Sequence, residues 1–176
     1  GRNVLWMNEE FRVRGFGYDI SEEAIKQAQA RASKQKWGSK LTFITHSIGQ
    51  DIPLPDESVD VVLDMMASHF LKEIERERYI KELHRVLKPQ GILFFKSFYG
   101  KGDKHAQDLI KNESAGEHNA YIHPKMKVYE YVWTDEALNK AFGEQFILQH
   151  KELSHQHNIR GKPNKRRSIV CYYEKR

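Results

Sequence analysis

Apolar residues recur through Phe11, Val13, Phe16, Tyr18 and Ile20, and the carboxylate of Asp19 falls near the end of this run, just ahead of Ser21. The pattern predicts a buried strand ending at Asp19 that turns at once into a helix. Ser21 would be its N-cap, and Glu22 and Glu23 would sit at its positive end. Gly15 and Gly17 would let other backbone approach this strand closely. Ahead of it, Val4, Leu5 and Met7 read as the inner face of a short helix already under way. Ala24, Ile25, Ala28 and Ala32 recur at three- and four-residue spacing, so residues 21–36 predict an amphipathic helix with Gly38 as its C-cap. Residues 41–45 predict a short strand, and residues 49–58, with Pro53 and Pro55, a loop. The continuous apolar run at 59–63 predicts a strand buried on both faces. Residues 71–87 predict a second amphipathic helix, with Ile80, Leu83, Val86 and Leu87 as its buried stripe and Lys88-Pro89-Gln90-Gly91 as its stop. Residues 92–98 return to an apolar strand. This alternation argues for parallel βαβ units in an α/β sheet.

Residues 99–133 show no clean period and read as an insert over the mouth of a site, helical around 106–110. Thr134 caps a third helix over 135–142. Strands at 146–150 and 168–174, joined by a basic loop, predict an antiparallel hairpin at the sheet edge. The 176 residues fit one domain, with 99–133 as its insert and 146–174 as its C-terminal hairpin.

Composition adds limits. Hydrophobic residues make up 39% and charged residues 30%, as in soluble globular chains. No apolar run approaches the ~20 residues that cross a bilayer. The N-terminus lacks a basic segment followed by an apolar one, so no signal peptide is read. The lone Cys171 excludes an internal disulfide and suits a reducing cytoplasm. It lies in an apolar run, where a buried inert thiol is expected. The net charge of +5 is concentrated in residues 160–167, Arg160 to Arg167, which carry five positive charges and no negative one. That run is either a solvated hairpin loop or a docking surface for a phosphate-bearing partner. His118, His123, His155 and His157 match no metal-binding spacing, so no metal is expected.

Four stretches, taken in order, resemble the class I S-adenosylmethionine-dependent methyltransferases. Gly1-Arg2-Asn3 resembles the tail of the glycine-rich first motif. Gly17-Tyr18-Asp19-Ile20-Ser21 resembles the ribose-binding turn. The run from Asp51 to Asp60 resembles the loop and start of the fourth strand, and the run from Glu82 to Gly91 the helix end before the fifth. The resemblance implies a Rossmann-like, mostly parallel sheet with an antiparallel C-terminal hairpin, and S-adenosylmethionine as cofactor. It implies that Gly1 belongs to the cofactor loop, that Asp19 holds both ribose hydroxyls and that Ile20 lies against the adenine. Structure alone could also explain Asp19, as a helix N-terminal acid. Ser47 stands where the family often has an acid for the adenine amino group. Its hydroxyl can still accept a hydrogen bond, and the Ile48 amide can donate one. Asp64, Met65 and Met66 would wrap the methionine end, although the two methionines would equally serve as core.

Methyl transfer from a sulfonium is an in-line displacement in which positioning and a dry site matter most. A base is needed only if the nucleophile carries a proton. The candidates are His69, Tyr99, His105, Tyr121 and His123. The leading acceptor class is a small molecule. The alternatives are RNA or another anionic macromolecule bound through Arg160–Arg167, and a non-catalytic cofactor-binding module. A nicotinamide dehydrogenase is disfavoured by the hairpin and the Leu87–Gly91 turn. The resemblance also implies a central first strand and glycine loop that do not appear in these residues. They are expected ahead of Gly1 or from another chain, because a gap there would bury two rows of unpaired backbone groups.

Overall fold

The computed structural model describes residues 1–154, 158–159, 162–163 and 166–176. The chain divides into two compact units, Gly1–Gln50 and Asp51–Arg176.

In the first unit, helix α1 (Arg2–Phe11) is followed by strand β1 (Gly15–Asp19), helix α2 (Glu22–Ala32), a 3-10 turn at Gly38–Lys40 and strand β2 (Leu41–Thr45). β1 and β2 pair in parallel, Gly15 opposite Leu41 and Asp19 opposite Thr45. Leu5, Ile25, Ala28, Ala32 and Phe43 form the core, with Val4 and Leu41 packed against it. Gly17 is required by this packing, because a Cβ there would lie 2.6 Å from the Phe43 ring. The close approach is thus by a side chain rather than by backbone.

Three local expectations change. β1 begins at Gly15, because α1 runs on to Phe11 and ends with Arg12 in the left-handed conformation at φ 56°. Phe11 is 62% exposed and Ile20 77% exposed, so neither belongs to a buried strand. Ser21 caps α2 as expected, its Oγ accepting from the Ala24 amide at 3.2 Å. Gly38 is not a left-handed cap; it starts the 3-10 turn, where a Cβ would lie 1.8 Å from the Ala32 carbonyl oxygen.

The second unit contains β3 (Val59–Met65), a 3-10 turn at Ser68–Phe70, α3 (Glu73–Val86), β4 (Leu87–Phe98), α4 (Lys104–Asn112), β5 (Ala120–Ile122), β6 (Tyr129–Tyr131), α5 (Asp135–Phe142) and β7 (Phe146–Ser154). The two-residue strands β8 (Asn158–Ile159) and β9 (Lys162–Pro163) pair with each other, and β10 (Ser168–Lys175) ends the unit. The main sheet has the order β3-β4-β10-β7. β3 and β4 are parallel, and β10 runs antiparallel to both β4 and β7. The hairpin is therefore present, with β7 at the edge. Among the described residues β1 pairs only with β2 and β3 only with β4, so the strands form separate sheets.

As an edge strand β3 is not buried on both faces, and Val61 is 44% exposed. Opposite Val59 lies Leu87, and opposite Val61 lies Ile92, so residues 88–91 bulge out of β4. The predicted helix stop is this bulge, with Gln90 at φ 63°.

Two links explain why the motifs at 51–60 and 82–91 occur together. Glu82 Oε2 accepts from the Ile52 amide at 2.7 Å. Arg85 pairs with Glu82 and Asp56 and donates to the carbonyls of Ile52 and Leu54. The core beneath is aromatic: Phe142 stacks on Tyr173 at 4.7 Å, and Phe95 meets Trp133 edge-on at 5.2 Å. Cys171 is buried there, and burial pushes its thiol up to about 11, which makes it inert.

In the insert, Ala106, Leu109, Tyr121 and Val132 form a small core of their own. The expected helix lies inside α4. The β5–β6 pair escapes sequence reading because three-residue strands are too short to display alternation.

Candidate active site

In the first unit the carboxyl ends of β1 and β2 bring four of the predicted residues together. Asp19 closes β1, and its backbone carbonyl accepts from the His46 amide at 2.9 Å, just past β2. Ser47 and Ile48 follow in the next turn. Asp19 is exposed, and its Oδ1 accepts from the Ser21 amide at 2.9 Å. This bond fixes the carboxylate's direction and leaves the second oxygen outside the turn. The 77% exposure of Ile20 is informative, since a branched apolar side chain is held out beside a fixed acid. Ser47 Oγ accepts from the Gly49 amide at 3.2 Å and so shapes its own loop, while its proton remains available for donation. Gly1 precedes α1, and a Cβ there would lie 2.8 Å from that of Ala28 and 3.2 Å from the Phe43 ring. A ribose diol and an adenine edge fit an acid, an exposed isoleucine and a loop amide arranged in this way.

In the second unit the chain leaves β3 through Met65, 36% exposed, and Met66, at φ 65°. A left-handed methionine at a strand end is uncommon. Asp64 directs the turn that follows. Its carboxylate is 1% exposed, and Oδ1 accepts from the amides of Ala67 and Ser68 at 3.1 and 3.3 Å. Burial raises its pKa, while Ser68, the Ala67 and Ser68 amides and Tyr79 pull it down. Asp64 thus shapes the loop, and Met65 is the more exposed of the pair.

This turn delivers His69 to a site beside Phe98, at the carboxyl end of β4. The imidazole centroid is 4.0 Å from that of Phe70 and 4.9 Å from that of Phe98. Its Nδ1 has no hydrogen-bond partner among the described residues. Burial, reinforced by the charge of Arg166, lowers its pKa to about 3. The ring is therefore neutral.

Of the other candidate bases, Tyr99, His123 and Tyr121 occupy structural positions. Tyr99 is buried and bridges to Trp133, and burial together with its bond to Asp135 raises the phenol to about 12. His123 Nδ1 accepts from the amides of Lys125 and Met126 at 3.3 and 3.1 Å, capping a turn. Tyr121 is buried, with its hydroxyl bonded to Glu130 and to Arg166. His105 lies exposed on α4.

Sequence reasoning missed the network to which Tyr121 belongs. Arg166 reads as part of the basic run; it is instead 7% exposed, with Nε 3.3 Å from Asp103 Oδ2 and Nη1 3.5 Å from Glu130 Oε2. Its guanidinium lies 3.9 Å from the centre of the Phe98 ring. A second buried arginine, Arg76, pairs with Glu117 and lies 3.6 Å over Tyr131. Glu130 between Tyr129 and Tyr131 was the available signal, since a lone acid in an aromatic run needs a buried cation. Arg160 and Lys165 of the basic run lie outside the described residues.

Residues 1–95 match the family model described as "Methyltransferase domain". The chain belongs to this family. Its class is that of the S-adenosylmethionine-dependent methyltransferases, with S-adenosylmethionine as cofactor. An uncharacterized protein of Haemophilus influenzae is 27% identical over 112 residues, covering 64% of this chain and 44% of that protein. Ajmaline N-methyltransferase of Rauvolfia serpentina is 32% identical over 88 residues, covering 49% of this chain and 28% of that enzyme. The methyltransferase chain thus spans less than half the length of these two relatives. Among solved structures, a SAM-dependent methyltransferase from Methanosarcina mazei superposes with a TM-score of 0.76 at 21% identity, covering 91% of this chain and 81% of that one. That likeness establishes the Rossmann-like fold. Among the described residues no helix is long and apolar enough to cross a membrane.

Proposed function

We propose that this methyltransferase domain moves a methyl group from S-adenosylmethionine to a small-molecule acceptor. The observation that carries the cofactor half is the fixed carboxylate of Asp19 with the exposed Ile20 beside it. Asp19 would accept from the ribose hydroxyls, Ile20 would cover one adenine face, and the Ile48 amide would donate to the ring. Gly1, at the start of α1, would line the rest of the cofactor site within the first unit, and Met65 would be the second unit's own cofactor contact. When bound, the cofactor supplies an activated methyl group on a sulfonium. Asp64 holds the loop that presents Met65 and His69. Phe70 and Phe98 exclude water around His69. A neutral His69 can orient an acceptor by a hydrogen bond, whereas its low pKa makes it a weak base.

The small-molecule half draws support from the ajmaline-methylating relative, and from Arg166 being internal rather than part of an open basic surface. The domain would act as a single unit with 99–133 on the acceptor side.

Calorimetry with S-adenosylhomocysteine tests the cofactor half. Binding that weakens about 10- to 100-fold in Asp19→Ala, as expected for lost hydrogen bonds to a charged group, supports it. Unchanged binding in that variant overturns it. Release of S-adenosylhomocysteine with RNA, and with no small molecule in an acceptor panel, would overturn the acceptor half.

A further inference from the structure

A second surface lies at the opposite end of the β1–β2 pair. Asp19 ends β1 at its carboxyl end, while residues 11–14 and 31–40 gather at the amino end, about 13 Å away along the strand. These two segments carry Arg12, Arg14, Arg31, Lys34, Lys36 and Lys40, against Glu9 and Glu10 in the last turn of α1, of which Glu9 Oε2 accepts from Gln35 Nε2 at 3.2 Å. Three of the six converge on one indole. Arg12, Lys36 and Lys40 place their cations 5.4, 5.0 and 5.2 Å from the centre of the Trp37 ring. None of the three makes an ion pair with a carboxylate among the described residues.

Helix ends account for part of this. The carboxyl ends of α1 and α2 lie here, and each attracts a cation. They do not account for three cations on one ring. Nor do they account for Arg12 in the left-handed cap position, where glycine is favoured. Lys40 Nζ donates to the Arg12 carbonyl at 2.9 Å, and Asn8 Nδ2 to the Trp37 carbonyl at 3.1 Å, so the cluster is tied to the fold. Beside it opens a cleft of about 430 Å³, lined by Lys36, Gln29, Gln35 and Ser39 and, on its apolar side, by Leu41 and Phe43. Gln29, Ser33 and Gln35 use their donors within the protein, on the Phe43 and Ala30 carbonyls and on Glu9, so a phosphate or base edge there would be met chiefly by Lys36 and Ser39.

We propose that this surface docks single-stranded nucleic acid. Arg12, Lys36 and Lys40, none of them in an ion pair among the described residues, suit a chain of phosphates, and the Arg12–Trp37 face with the mixed polar and apolar cleft suits unstacked bases. The site is a tether at the far end of β1 from Asp19, and it does not depend on which acceptor is methylated.

Fluorescence anisotropy with a labelled oligouridylate, titrated against salt, tests this. The expected result is binding at about 50 mM salt whose logarithmic slope falls by about 1.4 in the double variant Lys36→Gln/Lys40→Gln, with affinity at least tenfold weaker. Arg12→Gly is the decisive single change. It removes a cation but relieves the backbone, so binding should weaken while the melting temperature stays at or above that of the wild type. S-adenosylhomocysteine affinity should not move in either variant. Absence of oligouridylate binding at low salt overturns the proposal, as does an unchanged slope in the double variant. Poly-glutamate or phosphatidylserine vesicles that displace the oligomer at equal charge concentration would also overturn it, in favour of an acidic protein or a lipid surface.

Discussion

Arg166 reaches back to Asp103, 63 residues earlier, with Nε 3.3 Å from Oδ2, and both side chains are buried. The same arginine meets Glu130 and Tyr121, while Asp103 also caps α4 through the Ala106 amide and accepts from the Arg167 amide. Removing the cation leaves two buried acids without it. Arg166→Ala should therefore destabilise the domain by about 3–5 kcal/mol, measured by urea denaturation. A loss under 1 kcal/mol would show that water replaces the guanidinium.

His69 gives a pH signature. Its folded pKa, about 3, lies below the unfolded value of 6.5. The unfolded chain therefore takes up a proton first as pH falls. The contribution of His69 is full above pH 6.5 and is lost between 6.5 and about 3, at about 1.4 kcal/mol per pH unit. The stability difference between wild type and His69→Gln should follow that slope. A difference independent of pH would mean that the ring titrates normally.

Arg85 is the clamp on the loop before β3. Arg85→Met should cost about 2 kcal/mol by loss of its charge-assisted bonds. Hydrogen exchange at the Ile52 amide, which donates to Glu82 Oε2, should speed up more than exchange in β10.

Ile20 separates stability from binding. With its side chain 77% exposed, Ile20→Ala should change stability by less than about 0.5 kcal/mol. If it covers an adenine face, affinity for S-adenosylhomocysteine should fall about tenfold. Equal affinity in the two proteins would remove Ile20 from the cofactor site.

Much of the frame is legible from local chemistry. The Ser21 cap, the three- and four-residue spacing in α2 and the stripe of α3 each follow from spacing that one element imposes on its own residues. Asp19 is legible because a strand end and a helix start meet there. What the sequence hides is long-range. Arg166 lies in a basic run and reads as solvent-facing until the fold places Asp103 and Glu130 around it. Gly38 looks like a helix cap, and only the position of the Ala32 carbonyl shows that it is a contact point. His123 and Tyr99 carry the right chemistry for a base, but turn capping and burial assign them to structure. The exposure of Val61 follows from strand order, which no property of residues 59–63 encodes.

The Arg166 network also bears on descent. The segment holding α4, β5 and β6 is bonded through Asp103, Tyr121 and Glu130 to a residue that precedes β10. A segment grafted between β4 and α5 without those acids would strand the arginine. This segment therefore cannot be traded as a free cassette. It can diverge only in step with the residue ahead of the last strand, so changes at positions 103, 130 and 166 should come together.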